Sequence, residues 1–383
     1  MLKNKFIFQW IGTAVLSFLL ALLLVWSVPA VFLKQKAGNP NSWLRYYYNY
    51  KNAVTSKESP IETANPAIVI IDAHDASMGS RNAIASLIEK VDSLRPLAIG
   101  MDIIYSERIA DSPALDEAII KAFASCKSPL VVAARAEDSI ISDTLEHSFF
   151  TRPAAIEYGT INAGDVYKFE PYDIVAGDTI PKMVYLLAEK SGLMSSGSIS
   201  GKVVNYNSRK FRVLSSLDQL TPETVSGRIV LIGDTRDKRD FVDLPFRIEG
   251  VSRTSGVVLN AYMLASLIEP DNSFHRMKFV YSLLLSLLLI LIFSAGFTYL
   301  SNLLLAVLKK ENVRNNWRFA ISTVFLVVRP FLLVLLEFCA VAIAFLLLDS
   351  FHKIPDLWVF MVAIAVSGSV RSFVIMVYNR VQE

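Results

Sequence analysis

Apolar residues are arranged in two different ways along this chain. At both ends they run on without interruption. No charged residue lies between Phe6 and Leu33, and further apolar runs cover Phe279 to Leu308, about Phe331 to Leu348, and Leu357 to about Val377. In between, they come in short bursts separated by amphipathic stretches. Ala67 to Asp72, Leu97 to Asp102, Leu130 to Ala134 and Arg228 to Asp234 are each a brief apolar run with β-branched residues, which predicts buried strands. Ile84, Leu87, Ile88 and Val91 recur at helical spacing within Asn82–Leu94, as do Leu115, Ala118, Ile119 and Phe123 within Ala114–Cys126. Gly256 to Leu267 reads as a closing helix, and Val203 to Leu214 as a β-hairpin turning at Asn207-Ser208.

Strands alternating with helices predict a mainly parallel sheet covered on both faces. The long runs each hold about the 20 apolar residues that a membrane crossing needs. The expected fold class is therefore an α/β extracytoplasmic domain with a mainly parallel sheet, plus four transmembrane α-helices. The expected organisation is a cytoplasmic start and anchor (1–33), a juxtamembrane stalk (34–64), the external domain (65–278) and a span (279–308). A cytoplasmic loop (309–318), a span (319–348), an external loop (349–356) and a last span with a short tail (357–383) complete it. Lys3, Lys5, Lys309, Lys310, Arg314, Arg318 and Arg380 then share one side, which the positive-inside bias makes cytoplasmic. The first run exceeds the 7–15 residues of a signal-peptide core, so it is expected to stay as an anchor. The stalk's RYYYNYKN stretch either lies at the lipid headgroups or packs on the domain.

Composition supports a membrane location. The 383 residues are 53% hydrophobic with a mean hydropathy of +0.42, above the usual soluble range. A net charge of +3 concentrated near the apolar runs is not the footprint of a nucleic-acid binder. The expected partners are membrane lipid and a separate protein, with a homodimer as an option. Cys126 falls in the external domain and Cys339 in a span, so no internal disulfide is expected, and Cys126 reads as a small buried apolar residue.

Three of the strand runs end in aspartate: Asp72, Asp102 and Asp234. Ligands of open α/β sheets bind beyond the carboxyl ends of the strands. Near these ends lie Asp75, Glu107, Arg135, Thr235, Arg236 and Asp237. The candidate ligand-binding set is Asp72, Asp75, Asp102, Glu107, Arg135, Asp234 and Thr235. Carboxylates in such a set could hold a divalent metal, mixed charges could hold a polar ligand, and aspartates after strands also cap turns. No cofactor or metal is specified by these residues.

An enzyme is not expected. Asp72-Ala73-His74-Asp75 lacks the Asp-x-Asp of a carboxylate phosphatase. There is no Gly-x-Ser-x-Gly elbow, no Gly-rich phosphate loop, and no zinc-ligand spacing among His74, His147, His275 and His352.

Four segments carry a family resemblance: IVIIDAHDASM (Ile68 to Met78), RPLAIGMDIIYSE (Arg95 to Glu107), SPALDEAI (Ser112 to Ile119), and GRIVLIGDT (Gly227 to Thr235) followed by Asp243, Pro245 and GVVLNAYMLASLI. Together they resemble the type-two CHASE domain, an extracytoplasmic sensory module of bacteria. Leu259 stands where that family commonly has a histidine. The resemblance implies sensing. Members usually continue into a kinase, cyclase or other output domain. This sequence ends at Glu383, so a sensory reading requires relay through a separate partner, and the alternative is a structural or interaction subunit of an envelope complex. Within the spans, Glu337 and Arg371 are expected at similar depth, about 12 Å and 21 Å from opposite entries of a ~30 Å core, and to form an intramembrane ion pair.

Overall fold

The computed structural model describes residues 2–27, 47–49, 64–108, 113–136, 145–151, 154–161, 166, 169–175, 177–194, 202–206, 210–248, 251–269, 274–276 and 279–308, with isolated positions between 342 and 377. The chain divides into two compact units, Leu44–His275, and Met1–Trp43 together with Arg276–Glu383.

The first of these units is built on a seven-stranded sheet. Its strands include β1 (Ile68–Asp72), β2 (Ala98–Asp102), β3 (Leu130–Ala136), β4 (Leu145–His147) and β5 (Glu157–Thr160). Two short antiparallel strands, β6 (Tyr172–Val175) and β7 (Asp178–Pro181), form a separate ribbon, and β8 (Lys202–Val203) precedes β9 (Arg212–Leu214) and β10 (Ile229–Gly233). The sheet order is β9-β1-β10-β2-β3, with β4 and β5 both on the far edge of β3. All pairings are parallel except that of β4 with β3. After β10, a hairpin of β11 (Phe241–Ile248) and β12 (Val251–Ser255) leads into a helix.

The helices are α1 (Leu2–Ser27), α2 (Arg81–Ser93), α3 (Pro113–Ala124), α4 (Met183–Lys190), α5 (Gly256–Ile268) and α6 (Phe279–Leu308). On one face of the sheet, Ile84, Leu87, Ile88 and Val91 of α2 and Ile119 and Phe123 of α3 pack on Val69, Ile71, Ile99, Met101, Val230 and Ile232. The opposite face carries α4 and α5. Because β1, β2 and β10 are covered on both sides, every residue of β1 and β10 is buried. That double cover is why these segments read as unbroken apolar runs rather than alternating ones. Gly100 makes room for α4, since a Cβ there would lie 2.5 Å from Leu187 Cδ1.

Two expectations need correction. The hairpin expected over Val203–Leu214 does not form. β9 lies parallel to β1, with Val213 opposite Ile70, while β8 pairs with β13 (Phe274–Arg276). Pairing with the edge of β1 buries Leu214, while Val213 stays exposed.

The second correction concerns the four transmembrane helices. Among the described residues, no helix is long and apolar enough to cross a membrane. Glu337, Arg371 and Cys339 lie outside the described residues, as do the third and fourth apolar runs apart from isolated positions. Within this unit α1 packs on α6, and Trp10 Nε1 donates to the Leu291 carbonyl at 2.7 Å.

Of the stalk, Tyr47, Tyr48 and Asn49 are described. Tyr48 is fully buried, donates its hydroxyl to the Val204 carbonyl at 2.6 Å, and packs against Tyr206 and Phe246. This tyrosine therefore packs on the domain.

Candidate functional site

Register places the site. Asp72, Gly233 and Asp102 are directly opposite one another at the carboxyl ends of three adjacent parallel strands, β1, β10 and β2. Strand alternation sends Asp72 and Asp102 to the α5 face, because Ile71 and Met101 before them pack on the other. Gly233 between them has no side chain, and the gap is filled by Val257 from the first turn of α5. A Cβ at Gly233 would lie 2.8 Å from Val257 Cβ and 3.2 Å from Asp102 Cβ.

Asp72 is 3% exposed. Its Oδ1 accepts the amides of His74 (3.2 Å) and Thr235 (3.1 Å), and its Oδ2 accepts Arg236 Nε at 2.8 Å. Burial alone would raise its pKa, but the bonds from Thr235, Arg236 and His74 outweigh it and hold the carboxyl below its ordinary range. Arg236 Nη2 reaches on to Asp75 Oδ2 at 3.2 Å, so one guanidinium ties together two carboxylates of the β1 end. His74 Nδ1 lies 3.0 Å from both carboxylate oxygens of Asp234. Asp234 Oδ1 also accepts the amides of Arg236 and Asp237, each at 2.8 Å, so it folds the loop after β10 around itself. Asp237 does the same for Arg239 and binds its guanidinium, and those contacts lower its pKa.

A second group surrounds Asp102. Its Oδ2 accepts Asn260 Nδ2 at 3.0 Å. Burial, reinforced by the nearby charge of Asp240 and opposed by Asn260 and Arg135, pushes its pKa up to about 7. Asp240 Oδ2 accepts the amide of Gly256, the first residue of α5, at 3.3 Å, and Arg135 Nη2 lies 4.0 Å from its Oδ1. Asp240 is raised too, first by burial, with Asp237 and Asp234 adding to the effect against the Gly256 amide and Arg135.

The structure thus brings Asp72, Asp75, Asp234 and Thr235 into one network, and Asp102 with Arg135 into a neighbouring one. Glu107 joins neither. It is exposed, and only its carbonyl is engaged, by Arg81 Nη2. Arg81 meanwhile pairs with buried Asp116 and lies over the rings of Tyr105 and Phe149. Among the described residues no group of His, Cys, Asp and Glu could hold a metal ion.

Sequence reasoning missed four participants. His74 shows no zinc-ligand spacing with the other histidines, and Asp240, Asn260 and the bridging role of Arg236 carry no signal in the sequence. Only the position of β10 between β1 and β2 would have revealed them. The loop after β10 then falls over β1, and Asn260 of α5 reaches Asp102 at the end of β2.

The sequence profile of the CHASE2 domain matches residues 19–296. No curated protein matches the chain, and no solved structure does.

Proposed function

Because the chain belongs to the CHASE2 domain family, an extracytoplasmic sensory module rather than a catalytic one, we propose that it recognises a small polar ligand of mixed charge at the carboxyl ends of β1, β10 and β2 and relays binding to a separate protein. The observation that carries this reading is Arg236, held between Asp72 and Asp75 with 49% of its side chain exposed. Beside it His74 and Asp75 keep 41% and 54% of their side chains exposed. A rim with both signs of charge, mounted on rigid strand ends, suits a ligand that carries a cation and an anion together. The reading assigns the output to a partner. Binding can shift that partner only if the ligand prefers one of two conformations of this domain.

The test is a thermal-shift screen of the full chain against amino acids, polyamines, dicarboxylates and nucleotides, repeated with Asp75→Ala. The expected result is that one zwitterionic class raises the melting temperature of the parent and loses that effect in the variant. The tagged chain is then purified from its native source with and without that compound. A protein bearing a kinase, cyclase or regulatory domain whose recovery changes with the compound is the expected relay. No shift from any class, with extracytoplasmic proteins alone recovered, overturns the reading in favour of an interaction subunit.

A further inference from the structure

Helices α1 and α6 carry their polarity inside out. An amphipathic helix ordinarily turns its apolar stripe inward and its polar residues outward. Residues four apart share one side of a helix. In α1, Ile7, Ile11, Val15 and Leu19 follow one such row and are all exposed, whereas Gln9, Thr13, Ser17 and Ala21 follow another and are all buried. α6 repeats the arrangement. Val280, Leu284, Leu288 and Ile292 are exposed, and Ser282, Ser286, Ile290, Ser294 and Thr298 are buried. The two helices pack on each other. Trp10, next to Gln9, donates to the carbonyl of Leu291, which lies between Ser286 and Thr298. The two polar rows therefore run along one contact.

Most of the inward polar groups are unpaired. Six buried side-chain oxygens among the described residues have no hydrogen-bond partner, and five of the six are on these helices. They are Gln9 Oε1, Thr13 Oγ1, Ser17 Oγ, Ser286 Oγ and Thr298 Oγ1, on residues no more than 2% exposed. A serine or threonine in a helix can bond the carbonyl three or four residues back. Ser294 does so, donating to Leu291 at 3.2 Å. The hydroxyls of Thr13, Ser17, Ser286 and Thr298 do not. A buried polar group left unpaired keeps the full cost of its lost hydration. Five such groups along two rows call for a shared partner.

We propose that the two rows bind a file of water along the α1–α6 contact. The ligand class follows from the groups that would hold it. Each hydroxyl both donates and accepts, and Gln9 Oε1 accepts, which suits a partner able to do both. No charged side chain lies on α1 beyond Lys5 or anywhere on α6, so nothing on these rows would balance an ion. Buried polar sites of this kind take water that bonds to about three otherwise unpaired groups, whereas apolar ones stay dry. At 1.5 Å per residue the rows run about 12 Å from Gln9 to Ser17 and about 18 Å from Ser286 to Thr298, the length of several waters. The contact is then made through exchangeable water bridges rather than interlocked apolar side chains. It stands independently of the ligand proposed at the strand ends.

Exchange of a thiol proton reads water at a chosen position. Thr13→Cys, Ser17→Cys and Ser286→Cys are made singly in the full chain carrying Cys126→Ala and Cys339→Ala, so each variant has one S–H band in the infrared. Ala14→Cys, at a position buried on α1 but off the polar row, is the comparison. After transfer to D2O, the band at each row position should disappear at least about tenfold faster than at position 14, where exchange needs local opening of the helix pair. A band that lasts as long at any row position as at position 14 overturns the file. A second readout needs no cysteine. Thr13→Val and Thr298→Val remove a hydroxyl and keep the shape of the side chain. Each strips a partner from the bound water, so a lower melting temperature of the full chain is expected. An unchanged or higher melting temperature is the result for hydroxyls buried dry, and overturns the proposal.

Discussion

Replacing Asp72 by asparagine keeps the size of the side chain and removes its charge, which isolates what the carboxylate does at the end of β1. In the parent it accepts two backbone amides and the Arg236 guanidinium. The asparagine oxygen can still take the amides, but its NH₂ group would face Arg236 Nε, donor against donor. Hydrogen bonds to a charged acceptor contribute about 1.5–3 kcal/mol. Asp72 is itself buried, but Arg236 keeps half of its side chain in water, which screens the pair, so a loss of about 2 kcal/mol near pH 7 is expected. The pH dependence supplies the decisive check. The folded-state pKa of Asp72 is lowered, so its contribution is fully present above its unfolded value of about 3.8 and disappears as pH falls through the lower folded value. Urea unfolding followed by circular dichroism, at about pH 7 and about pH 2.5, should show the gap between parent and variant shrinking at the acid end. A gap under about 0.5 kcal/mol at neutral pH would mean the pair behaves like a surface ion pair, and an equal gap at both pH values would refute the electrostatic argument.

Two further outcomes test the packing. Gly233→Ala places a Cβ 2.8 Å from Val257 Cβ and 3.2 Å from Asp102 Cβ, and overpacking of this kind should cost about 1–3 kcal/mol, read as a lower melting temperature. An alanine variant as stable as the parent would show that α5 does not sit close on β10. Burial, with the charge and hydrogen bond of Asp92 adding to it, pushes the Cys126 thiol from 9.0 to about 12. At pH 8 its alkylation, followed by mass spectrometry of the Cys126 peptide, should be slower by about a thousandfold in the native chain than in the unfolded one. Comparable rates would contradict that environment.

Much of the domain could be read from residue order alone. The four apolar runs became β1, β2, β3 and β10, and the helical spacings became α2 and α3, because burying a doubly covered strand or one face of a helix imposes a local pattern that no distant contact is needed to see. β5 and α4 escaped notice for the complementary reason. Glu157–Thr160 is four residues long and half exposed, so its period is too short to register. The hairpin expectation failed because alternation in Arg212–Leu214 fits pairing with any neighbour, and only the free edge of β1 selected the partner.

The candidate site divides along the same line. That aspartates end the strands follows from sequence, and the expectation of a ligand there is the general one for open α/β sheets. Which aspartate pairs, which caps and which is left short of compensation was decided by tertiary structure. β10, some 130 residues beyond β2 in the chain, inserts between β1 and β2 and carries Arg236 to Asp72 and Asp240 to the first amide of α5. A carboxylate's pKa depends on burial and on charges a few ångströms away, and those distances exist only once the strand order is set. Sequence names the groups that can carry charge, and the fold determines which of those charges remain unbalanced.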